Sequence, residues 1–524
     1  MKKILSVILV FSMIFSLCSC GAGANNLKIS VATTEKITTL DPLNASGDGE
    51  NIIVTNCFEG LLRLNSKGDL DLAGAIAYTV DKSALVYTFK LNPKATWYVS
   101  DSVKTTLDSV GLKDFDKKIT ADDYIYGIEK FIQSGRTELN TLKGASKYAP
   151  ETTDSELGLK APDEYTLEIT LEKIDPDFLY KLAVLPIFPC DRQFCETLDG
   201  ICYTTPATSL CNGAYYISEV TESESVIERN PDYNGNIQVK NKAVHILNTE
   251  KTENAISRFN DGSCDILVTP DAKKPENAEP SYSCVTSTWG IAFNCKSETG
   301  KNAELRKILL SAIDFSKIEL PEGTGKKADR IIPDTYYVCD EKYSAFDTPS
   351  LAYKPDSNAL KNLDSVLKSL EKDAVSVKFL VPIQFKNSLK NVVSAWEEQL
   401  GEKAEIDLRT FDMNEYEKVL AEGEYDVAVL PLTAERRTAS GVIEAVSGTP
   451  CYYADKKLAL LPKSDANSNA LLFSQAEKLI VENGVFVPLF FAESHLYSAE
   501  NISGVYMVDG AQRIYFYSGA STKQ

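Results

Sequence analysis

The run VSVKFLV at Val375–Val381 begins the segment that decides the fold. Two further strand-like runs follow, AEIDL at Ala404–Leu408 and YDVAVL at Tyr425–Leu430, with a helical pattern in each interval. Strands and helices that alternate over such short links predict a parallel β-sheet with buried strands. Ligands of open sheets collect beyond the carboxyl ends of the strands. The segment therefore predicts an α/β fold with a ligand site near the loop Pro431–Arg437.

The size and charge of the chain limit its possible classes of function. Its 524 residues are too many for one hydrophobic core, so two or three lobes are expected. The formal net charge is −19 at pH 7. Because an acidic surface repels phosphates, neither nucleic acid nor anionic lipid is an expected electrostatic partner.

The first residues have the pattern of an export signal. Two lysines precede the apolar run Ile4–Leu17, which has the length of a signal-peptide core rather than of a membrane span. The next residues, LCSCG at positions 17–21, resemble the lipobox of bacterial lipoproteins. That resemblance implies cleavage after Ser19 and a diacyl anchor on Cys20, which would hold the protein on the membrane. Acylation of Cys18 instead would place a leucine at the cleavage site.

The sequence gives no support to a catalytic function. The chain has two histidines, and His245 lies within the strand-like VHIL, where a structural role is expected. Neither a nucleophile elbow nor a phosphate-binding glycine loop nor a metalloprotease pattern is present in the sequence. We therefore predict a protein that is not an enzyme and that uses no metal or cofactor.

Several short motifs occur in a characteristic order in the first half of the chain. They are LDP at Leu40–Pro42, NCFEGLLR at Asn56–Arg63, CNGAYYI at Cys211–Ile217 and RNPDY at Arg229–Tyr233. Together they resemble the family-5 extracellular solute-binding proteins, which are the peptide receptors of ABC import systems. The last two motifs, at their observed separation, are the most specific part of the resemblance.

The resemblance implies an α/β, two-lobed periplasmic-binding-protein-like fold of class II type with an extra N-terminal subdomain. The expected divisions are a signal peptide at 1–19, a lipidated tether at 20–26, lobe I at 27–60, 163–262 and 495–524, the extra subdomain at 61–162, and lobe II at 263–494.

The resemblance also implies a set of ligand-binding residues. In related receptors an aspartate that follows a Gly-Trp pair binds the peptide ammonium group, and Glu435 stands at that position here. Pro431 and Leu432 replace the Gly-Trp pair, and the alternative role of Glu435 is an ion pair with a neighbouring arginine. The other candidates are Thr433, Ser46, Asp48, Asn212, Phe490 and Phe491; core packing is the competing role for the two phenylalanines.

The partners implied are a peptide ligand and the permease subunits of an ABC importer. The resemblance predicts a monomer that faces the extracytoplasmic side of the cell membrane and is held there through the Cys20 lipid. Two alternatives remain open: a signalling lipoprotein that binds a peptide pheromone, and a receptor of the same fold for a nickel chelate, haem or a sugar.

Some local features complete the expectations. The residues ITADDY at Ile119–Tyr124 predict a helix that Thr120 begins, with acidic residues in its first turn. Residues 100–118 are polar and weakly patterned, which predicts an inserted loop, and Lys160–Leu171 reads as one strand. Four nearby cysteines, at positions 190, 195, 202 and 211, allow three pairings, and free buried thiols are equally consistent with the sequence.

Overall fold

A computed structural model describes most of the chain after residue 25. The described residues are 26–34, 36–148, 157–270, 274–276, 278–320, 325–338, 341–346, 351, 353–434, 437–447, 449, 470–508 and 513–521. The predicted signal peptide and Cys20 lie outside them, and so does Glu435.

The described strands and helices alternate along much of the chain. The strands are β1 Lys28–Thr33, β2 Leu62–Leu64, β3 Leu70–Leu72, β4 Ala75–Val80, β5 Val86–Leu91, β6 Leu159–Asp163, β7 Thr166–Thr170, β8 Tyr215–Val220, β9 Glu224–Arg229, β10 Ala243–Asn248, β11 Ile266–Pro270, β12 Tyr282–Phe293, β13 Lys326–Lys327, β14 Tyr337–Val338, β15 Glu341–Lys342, β16 Val375–Pro382, β17 Ala404–Phe411, β18 Val427–Leu432, β19 Phe486–Ser498, β20 Ile502–Ser503, β21 Tyr506–Val508, β22 Arg513–Tyr515 and β23 Ala520–Ser521. The helices are α1 Asp48–Cys57, α2 Asp101–Ser109, α3 Ala121–Gln133, α4 Phe178–Val184, α5 Arg192–Thr197, α6 Thr252–Asn260, α7 Ala303–Ser311, α8 Ala359–Ser369, α9 Lys386–Leu400, α10 Met413–Glu422, α11 Ala439–Ser447 and α12 Ala470–Glu482.

One long sheet runs through the molecule. Eleven of the described strands form it, in the order β17-β16-β18-β12-β19-β11-β1-β10-β9-β8, with β13 paired to β19 at the side. Strand β16 pairs in parallel with both β17 and β18, which confirms the parallel unit predicted from the segment beginning at Val375. Helix α9 covers this unit, and the buried Trp396 donates from Nε1 to the carbonyl oxygen of Leu309 at 2.8 Å.

Two large hydrophobic cores flank this sheet, and we name the two lobes after them. The core of lobe I is built mainly from residues 29–268 and 502–517, and the core of lobe II from residues 285–491. The antiparallel strands β12 and β19 belong to both: Cys284 and Leu496 lie in the first core, Val285 and Phe491 in the second. These two strands therefore connect the lobes. The division at the residues predicted from the sequence stays a prediction.

Lobe I is completed by residues from far along the chain. The hairpin of β21 and β22 packs near α1, where Asn56 is buried. Asn56 donates from Nδ2 to the carbonyl oxygen of Ile514 at 2.8 Å and accepts from the backbone N–H of Phe516 at 3.2 Å. Both polar ends of its amide are thereby satisfied inside the core.

A smaller sheet, in the order β4-β5-β7-β6, packs with α3 on the same core. Helix α3 begins after Thr120 and carries acidic residues in its first turn, as the sequence predicted. The backbone N–H and the hydroxyl of Thr120 both donate to Asp123 Oδ2. The single strand predicted at Lys160–Leu171 is wrong, because a turn at residues 164–165 divides it into the hairpin of β6 and β7.

The loop predicted for residues 100–118 is also wrong in part, since α2 lies within it. Ser100 begins this helix by accepting the backbone N–H of Val103 at 3.2 Å. Val103 and Leu107, one helical turn apart, are its buried residues. Two apolar residues at this spacing are enough to dock a short helix whose other faces are polar.

The cysteine cluster contains one disulfide among the described residues, between Cys195 and Cys202. Cys190 and Cys211 are free and buried, and Cys190 Sγ lies 3.3 Å from Cys195 Sγ. The structure thus combines the two possibilities that the sequence left open.

Candidate functional site: a cavity between the lobes

A cavity of about 380 Å³ lies where the two lobes face each other. Its size falls in the lower part of the range of about 300–1,000 Å³ that is usual for small-molecule sites. The residues of lobe I that line it are Pro42, Ala45, Ser46, Asn51, Val54, Thr55, Arg136, Val184, Leu185, Pro186 and Arg513, and those from the lobe II side are Thr286, Thr433, Ala434 and Arg437.

The lobe I wall depends on the carboxylate of Glu50, in the first turn of α1. Its Oε1 accepts the backbone N–H and the hydroxyl of Thr38 and the backbone N–H of Thr39, at 2.7–3.1 Å. Its Oε2 accepts the backbone N–H groups of Ser46 and Gly47, at 2.9 and 3.2 Å. One side chain therefore holds both ends of the loop that carries Ser46 to the cavity.

The hydrogen bonds around Glu50 also set its ionisation. Burial by itself raises the pKa of this carboxyl group, but the donors from Ser46, Thr38 and Gly47 outweigh burial and leave the pKa below its usual value. Glu50 is thus held as a carboxylate, the form that can accept all of these hydrogen bonds. It is a positioning residue that the sequence analysis did not select, although a glutamate at the third position of a helix is a recognised capping signal.

The lobe II wall begins where β18 ends. Thr433 and Ala434 follow the last residue of this strand, so the cavity lies beyond a strand carboxyl end, as the parallel-sheet argument predicted. Arg437 is 2% exposed. Its guanidinium carbon lies 5.9 Å from the ring centre of Tyr336, and Nη2 lies 3.5 Å from Cys284 Sγ.

The predicted site residues fall into three groups. Ser46 and Thr433 line the cavity from opposite lobes, and Glu435 lies outside the described residues, next to the lining residue Ala434. Asp48, Asn212, Phe490 and Phe491 are not among the described residues that line it.

The structure shows local packing roles for two of these other candidates. Asn212 accepts the backbone N–H of Glu59 at 2.9 Å and donates to the carbonyl oxygen of the same residue at 2.7 Å. Phe490 is buried in the lobe II core, where its ring stacks on Trp289 at 6.0 Å. A ligand-binding role for either stays a prediction.

Direct contacts also join the lobes outside the cavity, and we call them the interlobe contact. Ser440, at the start of α11, donates to Asp177 Oδ2 just before α4; both side chains are buried. Nearby, the rings of Tyr180 and Tyr337 lie 5.6 Å apart, and Tyr337 is buried in the lobe I core although it belongs to β14. The lobes are therefore in contact in this conformation.

Within the described part of the chain, no group of three or more metal-binding side chains occurs, and no helix is long and apolar enough to cross a membrane. His245 lies on β10, as expected for a structural histidine, with Nδ1 2.5 Å from Glu224 Oε1.

Two lobes that share a sheet and enclose a cavity are the architecture of a solute-binding protein. Residues 71–450 match the family described as bacterial extracellular solute-binding proteins, family 5 Middle. The chain belongs to this family, which confirms the fold class and the resemblance found in the sequence. Members of the family are transport receptors and not enzymes, and the family indicates an extracytoplasmic location.

Individual relatives agree with this assignment. The oligopeptide-binding protein OppA of Bacillus subtilis is 20% identical over 98% of this chain and 99% of that protein. The oligopeptide-binding protein AmiA of Streptococcus pneumoniae is 30% identical, but the match covers 36% of this chain and only 28% of AmiA. The structure of Listeria monocytogenes OppA bound to peptide has a TM-score of 0.70 at 19% identity, and the match covers 95% of this chain and 99% of that one.

Proposed function

We propose that this protein is an extracytoplasmic receptor that binds peptides between its lobes and delivers them to the permease of an ABC importer. The observation that carries the proposal is the cavity to which Ser46 and Thr433 contribute from opposite lobes. Family membership supports the transport role, and two relatives named as oligopeptide-binding proteins support a peptide as the ligand.

The chemistry of the cavity suits the main chain of a peptide. A buried peptide must find partners for its amide groups, because unpaired polar groups cost free energy when they lose water. Thr433 continues from the end of a strand, and Ser46 lies on the loop fixed by Glu50, so both bring backbone and hydroxyl groups to the cavity. Backbone groups bind any peptide sequence, and side-chain pockets add the selectivity.

Glu435 has the most specific proposed role, that of partner to the α-ammonium group of the peptide. The decisive measurement is a calorimetric titration of wild type and Glu435→Gln with a peptide and with its N-acetylated form. We expect wild type to prefer the free amine and the variant to lose most of that preference, by on the order of several hundredfold or more in affinity, because a buried charge would lose its partner.

The controls for that titration are built into its design. If wild type bound both peptides equally, recognition of the ammonium group would be rejected while peptide binding itself stood. A preference that persisted in the variant would assign the role to another acid, and Asp48 would be tested next. Failure of wild type to retain any peptide, by native mass spectrometry, would reject the proposed function.

We further propose that the receptor is a lipoprotein anchored through Cys20. The leader pattern of lysines, an apolar run and LCSCG supports this. Replacing Cys20 with Ala should move the protein from the membrane to the soluble fraction, as followed by fractionation and immunoblotting. Retention of the variant on the membrane would contradict the anchor, and release by Cys18→Ala alone would move the lipid to the other cysteine.

A further inference from the structure

Three cysteines of lobe I lie together beside the cavity between the lobes. The disulfide between Cys195 and Cys202 joins α5 to the loop that follows it. The third sulfur, Sγ of Cys190, lies 3.3 Å from Sγ of Cys195, and neither of these two cysteines is more than 6% exposed. Disulfide exchange begins when a third sulfur attacks one sulfur of an existing bond. The cluster therefore holds an attacking thiol in contact with its target disulfide.

A second, small cavity gives the Cys190 sulfur room to move. Its volume is about 30 Å³, and Cys190, Lys130 and Tyr203 are among the residues that line it. Pro186 lines both this cavity and the larger one between the lobes. Because a disulfide bond is about 2.05 Å long, Cys190 Sγ has to approach Cys195 Sγ by only about 1.3 Å. An adjustment of the side chain supplies a shift of that size.

The surroundings of Cys190 keep it in the thiol form at neutral pH. Burial raises the pKa of this thiol to about 11, although a hydrogen bond from the Tyr203 hydroxyl, 3.6 Å from Sγ, and the charge of Lys130 act to lower it. The titratable groups that interact with Cys190 are Lys130, Tyr126 and Asp123 of α3, Asp191 before α5, and Tyr203. Since the thiolate is the attacking form, exchange is slow at neutral pH and accelerates as the pH rises.

Neither pairing is strongly favoured by the length of the loop that it closes. The observed bond spans a sequence separation of 7, and a bond between Cys190 and Cys195 would span 5. The entropy of closing a loop changes only slowly with its length. The observed loop contains Asp199 with φ +40°, and Tyr203 just beyond it has φ +62°, in the left-handed region that non-glycine residues rarely adopt. Opening the bond to Cys202 removes the constraint that closes this strained loop.

We propose that these three cysteines form a thiol–disulfide exchange site that presents a thiol at the surface for modification by small disulfides. The Cys190 thiolate attacks Sγ of Cys195, a new S–S bond forms between these two residues, and the bond to Cys202 breaks. Cys202 leaves with the electron pair of that bond and takes up the proton that Cys190 lost, so this step requires no external oxidant.

Cys202 is the cysteine that a soluble reagent reaches after the exchange. Of the cysteines that the structure describes, it is the only one that is not buried. Its thiolate attacks one sulfur of a small disulfide, forms a mixed disulfide and expels one small thiolate. The buried Cys190 lacks such access, so it acts only within the cluster.

The first experiment follows the three sulfurs by mass spectrometry. Purified protein without reducing agent is incubated with N-ethylmaleimide at pH 8, and samples taken over several hours are denatured in an isotopically heavy form of the same reagent. Cleavage after Arg192 and Glu196 places the three cysteines on separate peptides. We expect the light label to accumulate gradually on Cys202 while a bond between Cys190 and Cys195 replaces the observed one, because alkylation traps the exchanged form.

Every other distribution of the label would overturn the exchange. Light label on Cys190, with the bond between Cys195 and Cys202 intact, would show direct alkylation of the buried thiol. Light label on none of the three would show a disulfide that does not exchange. Complete labelling of Cys202 in the first sample, or labelling of all three cysteines, would show that the native protein does not hold the bond between Cys195 and Cys202 at the start.

The second experiment assigns the attack to Cys190. In Cys190→Ala the rate of light labelling at Cys202 should fall by about tenfold or more, because the attacking sulfur is missing. The matched control is Cys211→Ala, which removes another free and buried thiol of the same region and should label like wild type. An unchanged rate in Cys190→Ala would overturn the inference.

Two further arms keep the test decisive. Cys202→Ala should form the bond between Cys190 and Cys195 and protect both from maleimide. If Cys190→Ala failed to fold, as judged by circular dichroism, this variant would decide, and alkylation of its Cys190 would overturn the exchange. Cystine in place of maleimide should attach one cysteinyl group to Cys202 of the wild type, and its absence there would overturn the modification by small disulfides.

Discussion

Glu50 in lobe I and Glu477 in lobe II are both almost fully buried, at 3% and 1% exposed, yet their pKa values move in opposite directions. Glu50 accepts five hydrogen bonds from described residues and has a lowered pKa. Glu477 accepts three, from the backbone N–H groups of Ile331 and Ile332 and from the hydroxyl of Tyr343, and its pKa rises to about 7 because burial outweighs them.

The difference shows that exposure alone does not set the charge of a buried carboxyl group. The balance between the desolvation cost of burial and the donors that face the charged form decides between ionisation and neutrality. Around Glu50 the donors come from one short loop, so the charge organises the wall of the cavity. Glu477 instead holds the segment leading to Tyr336 and Tyr337, and it does so within the apolar core of lobe II.

The largest expected effect is on the pH dependence of stability through Glu477. Its pKa in the folded protein, about 7, exceeds the ordinary value of 4.5, so its contribution to stability is complete below about pH 4.5 and is lost as the pH rises through 7. That loss amounts to about 3 kcal/mol. Glu477→Gln mimics the neutral form, so urea unfolding at pH 5 and pH 8 should show a smaller fall in its free energy of unfolding than in wild type.

Glu482 supplies the control for this prediction. It lies on the same helix, α12, but is exposed and paired with Lys478. Glu482→Gln should therefore leave the pH profile of unfolding close to that of wild type. If Glu477→Gln and wild type lost equal stability between the two pH values, the neutral state of Glu477 would be rejected.

The second largest effect on stability is expected at Glu50, where stability is lost toward low pH instead of high pH. Glu50→Gln turns two of the acceptor sites into a donor group that faces backbone N–H groups, at a cost of about 2 kcal/mol at pH 7. Because the folded-state pKa is lowered, the carboxylate contributes stability above its ordinary pKa of 4.5, and this is lost as the pH falls below it.

The measurement is thermal unfolding of Glu50→Gln and wild type at pH 7 and pH 4, where the difference between them should shrink. Peptide affinity should also fall, because the loop carrying Ser46 loses its anchor. Glu50→Asp tests whether the length of the side chain matters, because it keeps the charge but is too short to accept from Thr38 and Ser46 together. Wild-type stability in Glu50→Gln at pH 7 would contradict the role of the carboxylate.

The smallest effect concerns a third buried carboxylate, Asp177, which accepts a hydrogen bond from Ser440 of the other lobe. Ser440→Ala removes the hydroxyl donor of the interlobe contact, at a cost of about 1 kcal/mol to the closed arrangement. That shifts an open–closed equilibrium by roughly fivefold. Small-angle scattering of ligand-free protein should show a larger radius of gyration for the variant, whereas Ser447→Ala, at the far end of α11, should not change it. Equal radii would show that this bond does not favour closure.

The sequence predicted those strands and helices that are marked by a capping residue or by a repeated apolar pattern. The parallel unit of lobe II followed from three apolar strands and their short links, and the start of α3 followed from Thr120 and two acidic residues. Helix α2 was missed because Val103 and Leu107 are only two apolar positions, a pattern too short to register in a polar segment. The β6–β7 hairpin was missed because the alternation from Tyr165 to Leu171 was extended back across Pro162 and Asp163. Both are turn-favouring residues, and Asp163 accepts the backbone N–H of Tyr165 at 3.0 Å.

The site was predictable only in part, for a related reason. Thr433 could be placed because it follows a predicted strand end, and Ser46 through the family resemblance. Arg136 and Arg513 are separated by hundreds of residues and carry no motif, so only the packed fold brings them to one cavity. The hydrogen bonds that Glu50 accepts likewise depend on the conformation of the loop around it, and no single residue type in the sequence indicates them.

The connection of both lobes through β19 has a consequence for how the chain matures. Strand β19 lies between β12 and β11 and spans residues 486–498, while Asn56 takes its partners from Ile514 and Phe516. A nascent chain emerging from the ribosome therefore lacks this middle strand of its sheet until residues 486–498 have been synthesised. Contacts so distant in sequence fold slowly. The strands of both lobes that precede β19 in the chain must accordingly wait for it before the native sheet is complete.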